Sequence, residues 1–489
     1  MTDLHFLPAT ELCRLLRDGD VSSVELLDHF LARVEAHNPG LNAVVALDAE
    51  GARARAAEAD AARRRGESWG PLHGLPMTVK DAFETEGLVT TSGAPELRDH
   101  VPDSDADAVA RLKAAGAVVF GKTNLPIHAG DLQTFNDVYG RTNNPWAPDR
   151  SPGGSSGGSA AALAAGLTGF ELGSDIGGSI RNPAHYCGVF GLKPTWGVVP
   201  PRGHIPGPPG TLKPADVNVV GPLGRSAADL ALGLDVLAGP AGLDAAGWRL
   251  ELPPARNGGA LPGLRVATWF DDPFAPIAAD TRALLDAAAA ALAGGGATVT
   301  AVEPPVGLRE LVMSWERLVL PVVSMSMPDD VVAGAVEMAA APVAGDEPRT
   351  VRAIRAIAAR HRDWLRADER RHRHRRLFAQ LFEQHDVLLA PVMPTAAIPH
   401  DTDRDITARE VDVDGVARPY LDGLSWNGGI GTLLLPVAVP PVGRTPDGLP
   451  VGVQIVAPHL HDRTAIAVAG HAERLLGGFV PPPPLLVST

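Results

Sequence analysis

Apolar residues recur at Val24, Leu27, Leu31 and Val34, the spacing of one face of a helix. Ser22 and Glu25 have capping-box spacing at its start, and Asn38-Pro39-Gly40 predicts where it stops. Residues 52–65 predict a second, alanine-rich helix. From Pro71 onward the pattern alternates between short apolar strands and helices. Residues 75–80 read as a strand, 105–115 as a helix closed by Gly116, and 117–120 as a buried strand. The unit repeats as strand 264–270, helix 280–292, a Gly294-Gly295-Gly296 break and strand 297–302. Such alternation predicts a sheet with parallel strands, covered on both faces by helices. Two later apolar stretches, 433–442 and 449–456, flank Pro446-Asp447-Gly448 and predict an antiparallel hairpin.

These elements predict an α/β fold. The expected architecture is an α/β/α sandwich around a mixed, largely parallel sheet of about ten strands. One domain is expected over 1–489, with a helical region at 1–70, a core at 71–245, a variable helical region lining the pocket at 246–385, and a C-terminal sheet and helix at 386–475. Residues 305–385 are the least readable part; they read as helical and carry Trp315 and Trp364, while Pro481–484 predicts a surface extension.

Composition narrows the function classes. A 489-residue chain that is 45% hydrophobic and 20% charged is that of an ordinary globular protein able to host a deep pocket. Its net charge of −14 disfavours a nucleic-acid surface. The one basic run, Arg370 to Arg376, follows Asp363, Asp368 and Glu369 and reads as a solvated helix face. Cys13 and Cys187 are too few for a disulfide framework or a zinc site and fit a reducing compartment. No signal peptide is read at the N-terminus, and the longest apolar runs are short and broken by prolines, so a cytoplasmic protein with no membrane contact is expected. His372 and His374, two apart on a helix, point to different faces; no metal and no cofactor are expected.

The chemistry lies in two glycine–serine blocks. The first is Ser151-Pro152-Gly153-Gly154-Ser155-Ser156-Gly157-Gly158-Ser159, and the second is Gly173-Ser174-Asp175-Ile176-Gly177-Gly178-Ser179. Between them lies an alanine-rich helix closed by Gly166. A lone block of this kind is usually a flexible loop. Here the second places Ser179 behind Ile176-Gly177-Gly178, a row of backbone N–H groups able to stabilise an oxyanion. Gly153 to Gly157 also fits the Gly-x-Ser-x-Gly elbow of α/β-hydrolases, but Asn143 to Pro148 before it is no strand and the second block would be unexplained.

The two blocks, in this order and at this separation, closely resemble those of the amidase signature family. Its third element matches Gly74-Leu75-Pro76-Met77-Thr78-Val79-Lys80-Asp81. Further matches are Gly121-Lys122-Thr123-Asn124, Cys187 to Thr195, and Pro450-Val451-Gly452-Val453-Gln454. The resemblance covers nearly the whole chain and is weakest from about 245 to 385. It implies a serine hydrolase of carbon–nitrogen bonds, with Ser179 as nucleophile, Ser155 (after a cis peptide from Gly154) as relay and Lys80 as base. The amides of Ile176, Gly177, Gly178 and Ser179 would form the oxyanion hole. Ala129, Gly130 and Ser156 are the expected substrate-binding positions. Ser174 should supply a hydrogen bond, and Asp175 and Arg181 should brace the loop.

A lone lysine at a strand end is ordinarily a surface charge; the motif reverses that reading for Lys80. Cys187 is expected to be a packed thiol, and His128 and His185 structural histidines. The proline-rich loop 200–214 with Trp315, Trp364 and Trp426 suggests an apolar pocket for aryl or alkyl groups. An amide, a carbamate or an aryl ester would each offer the needed carbonyl. The alternative is the glutaminase-type A subunit of a tRNA-dependent amidotransferase. The stretch His204 to Gly210 leading to Asp216 to Pro222 departs from that subunit's pattern, and its glutamine-anchoring arginine segment has no clear counterpart around 350–370. A stand-alone hydrolase is therefore expected, whose partners are a small-molecule substrate and at most a second copy of itself.

Overall fold

The computed structural model describes residues 4–205, 207–341 and 348–484. In chain order the principal strands are β1 (Val44–Leu47), β2 (Pro76–Lys80), β3 (Val118–Thr123), β4 (Glu171–Asp175), β5 (Phe190–Lys193) and β6 (Val219–Gly224). They continue as β7 (Arg265–Thr268), β8 (Thr298–Ala301), β9 (Val387–Pro391), β10 (Val437–Val439), β11 (Pro441–Arg444) and β12 (Pro450–Val456). Nine of them form one sheet in the order β8-β7-β9-β12-β10-β5-β6-β4, with β11 also on β12; β1-β3-β2 form a second, smaller sheet. The two sheets meet where β2 lies beside β4: the Thr78 amide donates to Thr168 Oγ1 at 3.0 Å, and the Thr78 hydroxyl to Glu171.

The α/β class and mixed sheet are as expected, and the parallel pairings fall where helices cross over. They are β7 with β8, β7 with β9, and β2 with β3. Elsewhere the neighbours are antiparallel; at one end of the sheet β6 enters between β4 and β5 and runs against both. Strand–helix–strand periodicity predicts parallel units, but it carries no information on a strand inserted from further along the chain. The late hairpin forms as expected. β10 and β11 are one apolar run interrupted at Pro440, and both pair with β12.

Two helices differ from expectation. The helix Ser23–Leu41 has the capping box at Ser22 and Glu25, but it runs past Pro39 and ends on Asn42, whose φ of 53° is left-handed. Proline in a last turn forfeits little, since few intrahelical bonds remain to lose. In the helix His361–Gln384, Arg370, His372, Arg373 and Arg376 are exposed, whereas Arg371 and His374 turn inward. Arg371 meets Asp216 at 2.7 Å and His374 meets Glu310 at 3.0 Å, so this face is packing as well as solvated.

The register places the functional segment. Asp175 at the end of β4 pairs with Val219 at the start of β6, and Lys193 at the end of β5 pairs with Val437 at the start of β10. These strand ends form one rim, and the loops leaving it carry the candidate site. The helix Gly157–Ala164 beneath the rim is wholly buried, which its glycine and alanine residues permit.

Candidate active site

Lys80 ends β2 with no solvent exposure, and its Nζ lies 2.6 Å from Ser155 Oγ and 3.0 Å from Ser174 Oγ. Burial pushes the amine down to about 7, against the opposing pull of Asp175. A neutral amine can accept a proton, so the pair Lys80–Ser155 can move one. Ser155 follows a cis peptide bond from Gly154. Gly154 is indispensable there, since a Cβ would stand 2.5 Å from the Asp131 carbonyl oxygen. The Ser156 amide donates to the Ser179 carbonyl at 3.1 Å and so holds the two glycine–serine blocks side by side. Lys80 and Ser155 are fully sealed, while Ser179 is 9% exposed and is the member an incoming molecule meets first.

The turn before Ser179 wraps around Asp175. That carboxylate accepts from the amides of Gly178 (2.8 Å), Ile180 (3.1 Å) and Arg181 (3.3 Å), and from the Arg181 guanidinium at 3.0 and 2.8 Å. Burial is the largest influence and would raise Asp175, but the Arg181 charge and hydrogen bonds, the Lys193 charge and the Ile180 amide together outweigh it and hold the group at about 2. Arg181 is itself buried and donates onward to the Asn427 carbonyl at 2.9 Å and Gln454 Oε1 at 2.7 Å. Arg181→Met should leave Asp175 as a buried, unpaired charge and destabilise the fold by about 3–5 kcal/mol. Denaturant unfolding checks this, and a loss of activity with unchanged stability would contradict it.

Of the four amides expected to face an oxyanion, that of Gly178 is taken by Asp175. Those of Ile176, Gly177 and Ser179 have no acceptor among the described residues. Gly178 has a φ of +119°, and a Cβ there would lie 2.7 Å from Asn427. Trp315 lies over Gly177, its Nε1 donating to the Ile176 carbonyl at 2.9 Å.

The Ser156 expectation needs correcting, because its hydroxyl is buried and turned to the Ser174 backbone at 3.4–3.5 Å rather than to the site. Ala129 and Gly130 lie on an open turn, Ala129 with a φ of 56°, just ahead of Asp131 and Leu132, which close on Gly154. His185 is fixed between Gly452 and the Thr395 carbonyl, and Cys187 is sealed against the Pro152 carbonyl. His128 sits near the surface on Glu96. Trp426 is no pocket wall: it stacks edge-on with Trp269 in the core and donates to the Ala275 carbonyl.

Val217, Trp315, Val319 and Leu434 form an apolar cluster against Ile176, and beyond Trp196 and Leu434 opens a cleft of about 840 Å³ that Trp364 also lines. Asn427 was missed by sequence reasoning, since nothing in its local sequence marks it. Gln454 stands in a recognised motif but without a role there.

The model of the amidase family matches residues 25–466. The chain belongs to the amidase signature family. It is thus an amidase signature hydrolase in class. It is 35% identical to the A subunit of the glutamyl-tRNA(Gln) amidotransferase of Roseiflexus sp. (strain RS-1), over 97% of each chain. It is 33% identical to an acylamidase of Rhodococcus erythropolis, over 96% of each. A solved structure described as a vestigial protein complex bearing on the origins of an s-triazine catabolic enzyme aligns with a TM-score of 0.82 and 31% identity, over 97% of this chain and 100% of that one. These findings overturn the partner expectation. Amidase signature relatives include a chain whose name makes it one part of a larger enzyme, and another solved in a protein complex. A small molecule and a second copy therefore do not exhaust the partners to be considered. Among the described residues no helix is long and apolar enough to cross a membrane.

Proposed function

We propose that this hydrolase opens amide bonds through an acyl-enzyme on Ser179. The observation carrying this reading is the sealed Lys80 amine, lowered to about 7 and 2.6 Å from Ser155. Neutral Lys80 takes the Ser155 proton as Ser155 takes that of Ser179, whose oxygen bonds to the carbonyl carbon. The carbonyl oxygen becomes anionic beside the free amides of Ile176, Gly177 and Ser179. The proton then returns through Ser155 to the leaving nitrogen, the C–N bond breaks, and water releases the acid by the same route. The apolar cluster at Ile176 supports aryl or alkyl substrates, and carbamates and aryl esters present the same carbonyl. A fluorophosphonate should label Ser179 alone, as read by peptide mass spectrometry. An adduct elsewhere, or none, would refute the assignment.

The relatives named as amidotransferase subunits support a second reading, in which the chain works on glutamine within a protein assembly. Turnover of anilides, aliphatic amides, aryl carbamates and glutamine separates the two. Under the first reading the purified chain hydrolyses a simple amide. Under the second, glutamine is turned over and only when the chain is co-purified with protein partners.

A further inference from the structure

The chain around His204 runs as a strap over the residues that follow Lys80. The Ile205 amide donates to the Ala82 carbonyl at 2.7 Å, and the Glu84 amide to the Gly203 carbonyl at 2.8 Å. The His204 ring stands edge-on to Phe83 with centroids 5.1 Å apart. On its other side Asn218 Nδ2 approaches His204 Nδ1 at 3.5 Å. Asn218 follows Val217, a member of the apolar cluster that packs against Ile176. His204 therefore stands between the Lys80 end of the site and the wall beside the oxyanion turn.

Asn218, oriented with Nδ2 toward the ring, assigns Nδ1 as the acceptor and with it the ring's proton to Nε2. That N–H is buried and has no partner among the described residues. Burial, with the Lys80 charge adding to it, pushes the ring down to about 3, so it stays neutral wherever Lys80 can act as a base. Native proteins rarely leave a buried donor unused, and a ligand acceptor is one way to satisfy it.

We infer that His204 is a specificity-determining residue whose Nε2–H donates a hydrogen bond to an acceptor atom on the departing half of the substrate. The departing half is assigned because its proton arrives through Ser155 from Lys80, and the His204 strap is paired with the residues just after Lys80. A site holding a buried donor discriminates against a substrate that leaves it unpaired. The substrate class is then an amide or carbamate whose amine or alcohol portion carries an ether, carbonyl or carboxylate oxygen near the scissile bond. The inference rests on the Ser179 reading.

The test uses matched amides of one acid: 2-methoxyethyl against butyl, 3-methoxypropyl against pentyl, and 3- and 4-methoxyanilide against the ethylanilides. In at least one pair the native enzyme should favour the methoxy member in kcat/KM. In His204→Phe that member should lose about tenfold more than its alkyl partner, the ratio expected for one hydrogen bond to a buried donor. His204→Gln, which restores an N–H, should recover part of the preference. A native enzyme with no methoxy preference in any pair overturns the inference whatever the variants do. So does an equal fall for both members of every pair in His204→Phe, which is the mark of a purely structural role. Fluorophosphonate labelling of Ser179 is read in parallel. If the native chain is not labelled, the Ser179 reading has failed; if it is labelled and the pairs show no discrimination, only the His204 inference has.

Discussion

Ser179→Ala is expected to lose on the order of 10⁶ in kcat, the scale of nucleophile knockouts in other serine hydrolases. Neither nearby candidate stands ready to replace it. Cys187 is buried, its thiol pushed far up by burial, and it is held against the Pro152 carbonyl. Ser155 is sealed and faces Lys80. The loss should appear in kcat for amides and activated esters alike, because both need the same covalent bond, while the midpoint of unfolding stays near that of the native chain. A variant retaining a hundredth of native turnover would mean the acyl group is carried elsewhere.

Lys80→Ala should cost amide hydrolysis on the order of 10²–10⁴, the usual range for a positioned acid–base group. Aryl ester hydrolysis should fall less, because a phenolate leaves unaided whereas an amine must be protonated as it departs. The pH dependence follows from the same group. Only the neutral amine accepts a proton, and burial lowers its titration to about 7. Native kcat/KM should therefore rise with pH through about 7 and level off above, and the variant should lose that rise. Equal damage to esters and amides with an unchanged pH profile would remove Lys80 from the mechanism.

The α/β class and the segment 151–183 were legible because their determinants are local: short apolar runs, glycine turns and paired serines. The contact of Lys80 with Ser155 became readable only through the family motif, since a strand-end lysine on its own reads as surface charge. Other features depended on what the chain brings from afar. The insertion of β6 between β4 and β5 is set by residues well downstream of β5, and no periodicity reports it. The direction of the Ser156 side chain is decided by one backbone step in a tight loop, so a residue adjacent to Ser155 faces away from the site. The capture of the Gly178 amide by Asp175 could be seen only once the turn had closed. Trp426 and Trp315 look alike in sequence, yet one is core and the other covers Gly177. Partners were the least legible, because an assembly surface needs no motif within the catalytic blocks.

Both glycine–serine blocks run directly into buried helices, Gly157–Ala164 after Ser155 and Ser156, and Arg181–Cys187 after Ser179 and Ile180. A helix presents its positive end at its N-terminus, so two such ends converge on the same small volume. These ends favour negative charge on a bound carbonyl oxygen, and at the second of them Asp175 already takes the amides of Gly178, Ile180 and Arg181. The helix ends and the open row of amides thus act alike on a bound carbonyl oxygen, a contribution of the backbone, whereas Lys80 is lowered by its burial. Because both helix ends are buried, dissolved salt hardly screens them, and their contribution persists across ionic strengths that would erase a surface ion pair.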